Sequence, residues 1–131
     1  MTEVFQAGLL NGKRAFISGG SSGINLAIAA RLASLGAEVG IFSRSRDKID
    51  AALAQLREDG ADAEGYTGDV RNYEDVAAAF GAFAAAGGGI DFVVSGAAGN
   101  FVAPALGMSP NAFRTVVDID LIGTYHVMRA S

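Results

Sequence analysis

The segment Ser18-Gly19-Gly20-Ser21-Ser22-Gly23-Ile24-Asn25 places three glycines and three serines between an apolar run and an amphipathic stretch. Glycine has no Cβ, so backbone N–H groups in such a turn come close to a phosphate. A helix N-terminus beside it adds partial positive charge. A Gly/Ser turn that only caps a helix has the same composition. Its position after the first apolar run and before an amphipathic helix favours nucleotide binding. The candidate contacts are Ser18, Gly19, Ser21, Ser22, Gly23 and Ile24. Gly23 is followed by Ile24-Asn25 and not by Lys-Ser or Lys-Thr, which excludes a P-loop.

Ser43 stands 20 residues beyond Gly23, with Arg44 next to it. In dinucleotide folds a carboxylate near that spot binds the 2′-hydroxyl of NAD, whereas an arginine accommodates the 2′-phosphate of NADP. No acid is present there, and a guanidinium pairs bidentately with phosphate. The expected cofactor is therefore NADP (NADPH), held in part by Ser43 and Arg44. The alternative is that Arg44 and Arg46 are ordinary solvated charges beside Asp47.

A third chemical signal lies near the end of the chain. Phe113, Val116, Val117, Asp120 and Thr124 fall at offsets 0, 3, 4, 7 and 11, one face of a helix. Asp120 thus interrupts an apolar stripe, while Asp118 is expected about 200° further round, in solvent. A carboxylate on a buried face is desolvated, which favours its neutral form and makes it a candidate proton donor or relay. A structural acid satisfied by backbone N–H groups or a basic residue is the other reading.

These groups need elements to hold them. Four apolar runs read as strands: Arg14–Ser18, Glu38–Phe42, Ala63–Thr67 and Ile90–Ser95, starting 24, 25 and 27 residues apart. The last has little alternation, as in a strand covered on both faces. Between them lie helical repeats: Ile24, Ile28, Leu32 and Leu35 ending at Gly36; Ile49, Leu53 and Leu56 ending at Gly60; and Val76, Phe80 and Phe83, opened by Asn72 and closed by Gly87. Ser109-Pro110 opens a fourth helix, with an N-cap hydroxyl and proline at N1. The order βαβαβαβα implies a Rossmann-like doubly wound parallel sheet of the α/β class, residues 1–131 forming a single dinucleotide-binding domain. The fourth helix is still apolar at Val127 and Met128 when the sequence stops. The expectation is the N-terminal half of a longer reductase, since such folds continue with further strands.

Composition removes other classes. There is no Cys and one His, so thiolate chemistry and multi-histidine metal sites are excluded and no metal is expected. A net charge of −4, from 10 basic and 14 acidic residues, argues against nucleic acid. No apolar run approaches the roughly 18 residues of a membrane span, and no cationic leader precedes one. The expected partner is a small-molecule substrate, and the expected location cytoplasmic.

The pattern Gly19-x-x-x-Gly23-x-Asn25 resembles the glycine motif of the short-chain dehydrogenase/reductase family, from about residue 11 onward. That family usually has Thr where Ser18 stands and a third Gly where Asn25 stands. The resemblance implies that Asp69 and Val70 flank the adenine. It also implies that the turn Ser95-Gly96-Ala97-Ala98-Gly99 replaces the family's Asn-Asn-Ala-Gly, with Ser95, Gly96 and Ala97 near the cofactor and both amides lost. The stretch Ala97-Ala98-Gly99-Asn100-Phe101, followed by Asp120 where most members carry an active-site Asn, is similar to the 2,4-dienoyl-CoA reductase branch, especially its peroxisomal type. That similarity implies Asp120 as the acid or relay, Asn100 and Phe101 lining an acyl pocket, and an acyl-CoA substrate. It also implies a homo-oligomer, a tetramer in much of the family, built on the apolar fourth helix. Tyr66, Tyr73 and Tyr125 are followed four residues later by Val70, Ala77 and Arg129, so the family's Tyr-x-x-x-Lys pair is not found between residues 1 and 131. A ketone or alcohol reductase with that pair further on, or a non-catalytic nucleotide-binding module, are the alternatives.

Overall fold

A computed structural model describes residues 3–131. Four parallel strands, β1 (Arg14–Ser18), β2 (Glu38–Ser43), β3 (Ala63–Thr67) and β4 (Phe92–Ser95), form one sheet in the order β3-β2-β1-β4. Helices α1 (Gly23–Ser34), α2 (Arg46–Glu58) and α3 (Tyr73–Gly87) connect them. After β4 come α4 (Pro110–Val117), a π-helical turn (Asp118–Ile122) and α5 (Gly123–Ala130). The order of strands reverses at β1, which has β2 on one side and β4 on the other.

Strand alternation divides the core into two layers. Ala15, Ile17, Val39, Ile41 and Ala63 face α1 and α2, meeting Ala29, Ile49, Leu53 and Leu56. Phe16 and Phe42 face the other way, toward Val76, Ala79, Phe80 and Phe83 of α3 and Val127 of α5. Gly40 keeps that layer thin, since a Cβ there would meet the Phe83 ring at 3.0 Å. Arg14 is buried under this layer. Its guanidinium pairs with Glu38, donates to the carbonyls of Phe83 and Gly89 at 2.6 and 2.8 Å, and stacks on the Phe83 ring.

The caps follow the residue types. Ser45 Oγ accepts from Lys48 N–H, Asn72 Oδ1 from Glu74 N–H and Ser109 Oγ from Ala112 N–H, each filling a free donor of a first turn. The closing glycine of α3 is Gly88, in the left-handed region, one residue beyond the expected Gly87.

Three expectations are corrected. Ile24 and Ile28 do not form the packed face of α1: Ile24 is 81% exposed, and Leu26, Ala29 and Ala30 meet the sheet in their place, beside the expected Leu32. Strand β4 begins at Phe92, not Ile90, and is not covered on both faces, since Phe92 and Val93 are exposed. The fourth helix is not one straight α-helix, because Gly123 N–H donates to the Asp118 carbonyl five residues back. Such a π turn adds one residue and rotates everything after it by about 100°. Val127 beyond the turn is buried, and Ile119 within it packs against the Phe16 layer.

Candidate functional site

Parallel pairing aligns the carboxyl ends of the strands: Ser18 lies opposite Phe42 on one side and Ser95 on the other, and Ser43 opposite Thr67. Ligands in open α/β sheets bind at these ends, in the crevice where the strand order reverses. A cleft of about 340 Å³ occupies that place. Its walls are the β1–α1 turn, the ends of β2 and β3, and the turn after β4.

The glycine turn is shaped by specific needs. Gly19 sits at φ +73°, and a Cβ there would strike Ala97 N at 2.8 Å, so this glycine lets the turn lie against the one after β4. Gly23, the first residue of α1, sits at φ +59° with open space where its Cβ would be. That opening exposes the first turn of α1, whose N-cap Ser22 makes no side-chain capping bond. Ser21 Oγ donates to Ser43 Oγ at 2.9 Å, joining the glycine turn to the end of β2. Ser18 is fully buried beneath, and its Oγ has no hydrogen-bond partner among the described residues.

Of the residues expected in the site, Gly19, Ser21, Ser22, Ser43, Arg44, Asp69, Val70, Gly96 and Ala97 line the cleft together. Ser18 lies under its floor. Gly23, Ile24 and Ser95 are not among the lining residues, and Ile24 points to solvent. Asn100 and Phe101 lie outside it and are exposed, Phe101 by 52%. Lys48 is an added cation beside Arg44 that the sequence reading missed. It sits one turn into α2, and no motif marks it. Its signal was the placement of α2 directly after Arg44.

Asp69 is bound by Arg71, whose Nε donates to both carboxylate oxygens at 3.0 Å and whose Nη2 donates at 2.5 Å. The Arg71 guanidinium therefore holds the Asp69 carboxyl below its usual range. His126 is half-buried. Its Nδ1–H donates to the Val70 carbonyl at 2.7 Å, tying α5 to the loop after β3.

The candidate acid sits where the last helical segment departs from regular α geometry, at the π turn. Asp120 lies inside it and is exposed, and Phe113 of the supposed stripe is 63% exposed. The desolvation argued from a straight helix therefore does not apply. Asp118, expected in solvent, is half-buried instead, and its charge acts on Arg71. Asp120 Oδ1 accepts the Gly99 N–H at 2.8 Å, which fastens the turn after β4 to the helix. Ile119 beside it lines the cleft with Ala97 and Ala98.

A doubly wound sheet with a glycine turn at its switch point is the scaffold of a dinucleotide-binding domain. The family model for short chain dehydrogenases matches residues 13–131, and the chain belongs to that family of nicotinamide-dependent oxidoreductases. It is 41% identical over its whole length to a peroxisomal 2,4-dienoyl-CoA reductase of Arabidopsis thaliana, of which it covers 44%. Over 93% of its length it is 37% identical to the enzyme of that name from Saccharomyces cerevisiae, of which it covers 43%. Among solved structures, a citronellol catabolism dehydrogenase of Pseudomonas aeruginosa superposes with a TM-score of 0.90 at 31% identity, over 97% of this chain and 52% of that one. An actinorhodin polyketide ketoreductase with NADPH superposes with a TM-score of 0.87 at 30% identity, over 90% and 45%. The chain thus spans less than half the length of these curated relatives.

Proposed function

We propose that this chain is the cofactor-binding segment of an NADPH-dependent reductase acting on a 2,4-dienoyl-CoA or a related enoyl or acyl thioester. The residues present fit a nicotinamide dinucleotide. Gly19 and Gly23 open the turn, the first turn of α1 offers free N–H donors for the pyrophosphate, and Ser43 and Arg44 with Lys48 form a cationic group with no acid at the end of β2. That end suits a 2′-phosphate. Asp69 and Val70 flank the adenine, and Ser18, Ser21, Ser22, Ile24, Ser95, Gly96 and Ala97 complete the binding residues in this reading. Bound there, the nicotinamide supplies a hydride.

The observation that carries the reading is Asp120, next to the lining residue Ile119, with Oδ1 held by the N–H of Gly99, next to the lining residue Ala98. The remaining oxygen, Oδ2, is left to hold or relay a proton toward the α carbon of a reduced conjugated thioester. An exposed position in this segment suits a group that must meet substrate. Asn100 and Phe101, on the exposed loop beyond Gly99, face the acyl chain. The similarity to dienoyl-CoA reductases supports the substrate class, and their peroxisomal names support a peroxisomal location over the expected cytoplasmic one. Leu121, Tyr125 and Met128 expose apolar surface on the last helical segment, which supports a homo-oligomer, a tetramer by family resemblance.

The ketoreductase among the solved relatives favours a second reading, a ketone reductase of the 3-ketoacyl type. Following NADPH oxidation by the native protein with 2,4-dienoyl-CoA and with 3-ketoacyl-CoA separates the two. Oxidation with the dienoyl substrate alone supports the first reading. Oxidation with the ketoacyl substrate alone overturns it.

A further inference from the structure

Two of the cleft's residues compete for one volume. A Cβ built on Gly96 would lie 2.2 Å from Asn25 Oδ1 and 2.4 Å from both Cγ and Nδ2, and these are its three nearest atoms. Gly96 is not among the residues with positive φ, so its backbone does not demand glycine. The Asn25 side chain is what a Cβ there would meet first. In return, Asn25 Nδ2 donates to the Gly96 carbonyl at 2.8 Å, across the gap between α1 and the turn after β4.

The turn 96–99 is thereby fastened at both ends. Asn25 holds the Gly96 carbonyl, and Asp120 accepts the Gly99 N–H at 2.8 Å. Between the two anchors, Ala97 and Ala98 line the cleft, and Ala97 also packs against Gly19. An amide on α1 thus does the bracing that a polar side chain on the turn itself would otherwise do.

We propose that Asn25 is a positioning residue. Its amide occupies the space of a side chain at position 96 and sets the turn 96–99, and through Gly99 N–H it sets the orientation of the Asp120 carboxylate. The effect on cofactor affinity rests on the function proposed above; the exchange of volume between positions 25 and 96 does not.

The test uses the native protein and the variants Asn25→Gly, Gly96→Ala, Gly96→Asn and the pairs Asn25→Gly/Gly96→Ala and Asn25→Gly/Gly96→Asn. Without cofactor, Gly96→Ala lowers the melting temperature when Asn25 is present and leaves it nearly unchanged when position 25 is Gly. Hydrogen exchange at the Gly99 amide speeds by about tenfold in Asn25→Gly, the scale of one lost hydrogen bond. It returns toward the original rate in Asn25→Gly/Gly96→Asn, where the amide is supplied from the other side. The dissociation constant for NADPH, by fluorescence titration, rises roughly three- to tenfold in Asn25→Gly and recovers in the same pair.

Equal destabilisation by Gly96→Ala in both backgrounds overturns the shared volume. Unchanged Gly99 exchange in Asn25→Gly overturns the positioning role, even where Gly96→Asn alone fails to fold. If the unaltered protein does not bind NADPH, the function proposed above fails, and the stability and exchange measurements still decide this inference.

Discussion

Replacing Asp120 by Asn separates its two roles, because the amide keeps the shape and an acceptor oxygen for Gly99 N–H but cannot donate or relay the acid proton. The structural loss is bounded by the one bond observed, Gly99 N–H to Oδ1 at 2.8 Å. A hydrogen bond to a charged acceptor contributes about 1.5–3 kcal/mol and a neutral one about 0.5–1.5, so the difference is about 1 kcal/mol. Exposure of Asp120 moves that figure down, since water competes for the carboxylate. At about 1.4 kcal/mol per factor of ten, misplacement of the turn accounts for no more than roughly a fivefold change. Loss of a general acid costs on the order of 10²–10⁴ in turnover. The two causes therefore differ in scale. The assay is steady-state NADPH oxidation by the native protein at saturating 2,4-dienoyl-CoA, with NADPH affinity titrated separately. Expected is a fall in kcat well beyond tenfold with NADPH affinity nearly unchanged. Asp118→Asn, altered on the half-buried acid near Arg71, leaves kcat intact and serves as control. Full dienoyl-CoA turnover in Asp120→Asn would refute the proton role and leave Asp120 as the anchor of the turn.

Cofactor choice is expected to follow the cationic end of the cleft. Arg44→Ala with Ser43→Asp reverses a preference for NADPH over NADH, each contact to the 2′-phosphate contributing about 1.5–3 kcal/mol, and equal affinity of the unaltered protein for both cofactors counts against the assignment. Asp69 titrates below its usual value because Arg71 binds it, so this pair stabilises the fold above pH 3.8 and loses that contribution as pH falls through the lowered folded-state value. Arg71→Ala therefore lowers the melting temperature at neutral pH, and the gap from the unaltered protein closes in acid; a gap that stays constant to pH 2 would contradict the pairing. Arg14→Ala leaves the Phe83 and Gly89 carbonyls without their donor and removes the stacking on Phe83, a loss of about 2–4 kcal/mol by urea denaturation. Glu38→Gln changes stability far less, because that carboxylate is 41% exposed. Size-exclusion chromatography of the native protein is expected to give a homo-oligomer, and a clean monomer counts against the apolar surface of the last helical segment as an interface.

Much of this protein is determined locally and was legible in the residue order. Strand bounds at Arg14–Ser18 and Ala63–Thr67 follow from short apolar or β-prone runs ended by polar or glycine residues, which need no distant partner to be recognised. The caps at Asn72 and Ser109 are equally local, because the bonding groups lie two or three residues apart. The glycine turn, Ser43, Arg44, Asp69 and Gly96 converge on one cleft because parallel pairing must bring the carboxyl ends of successive strands together. Tertiary structure decided what depends on a register or on a neighbour far along the chain. Periodicity assumes a uniform helix, so it could not reveal the π turn, and only the packing of the last segment shows Asp120 exposed, Asp118 half-buried and Val127 buried. Which residues of the first half of α1 meet the sheet was misread for a related reason. Apolar character ranked Ile24 above Ala29, while the close approach of helix to sheet favours the small side chain. The bond from Asn25 to Gly96 joins residues 71 positions apart, and only folding places an amide in the space that a glycine leaves open.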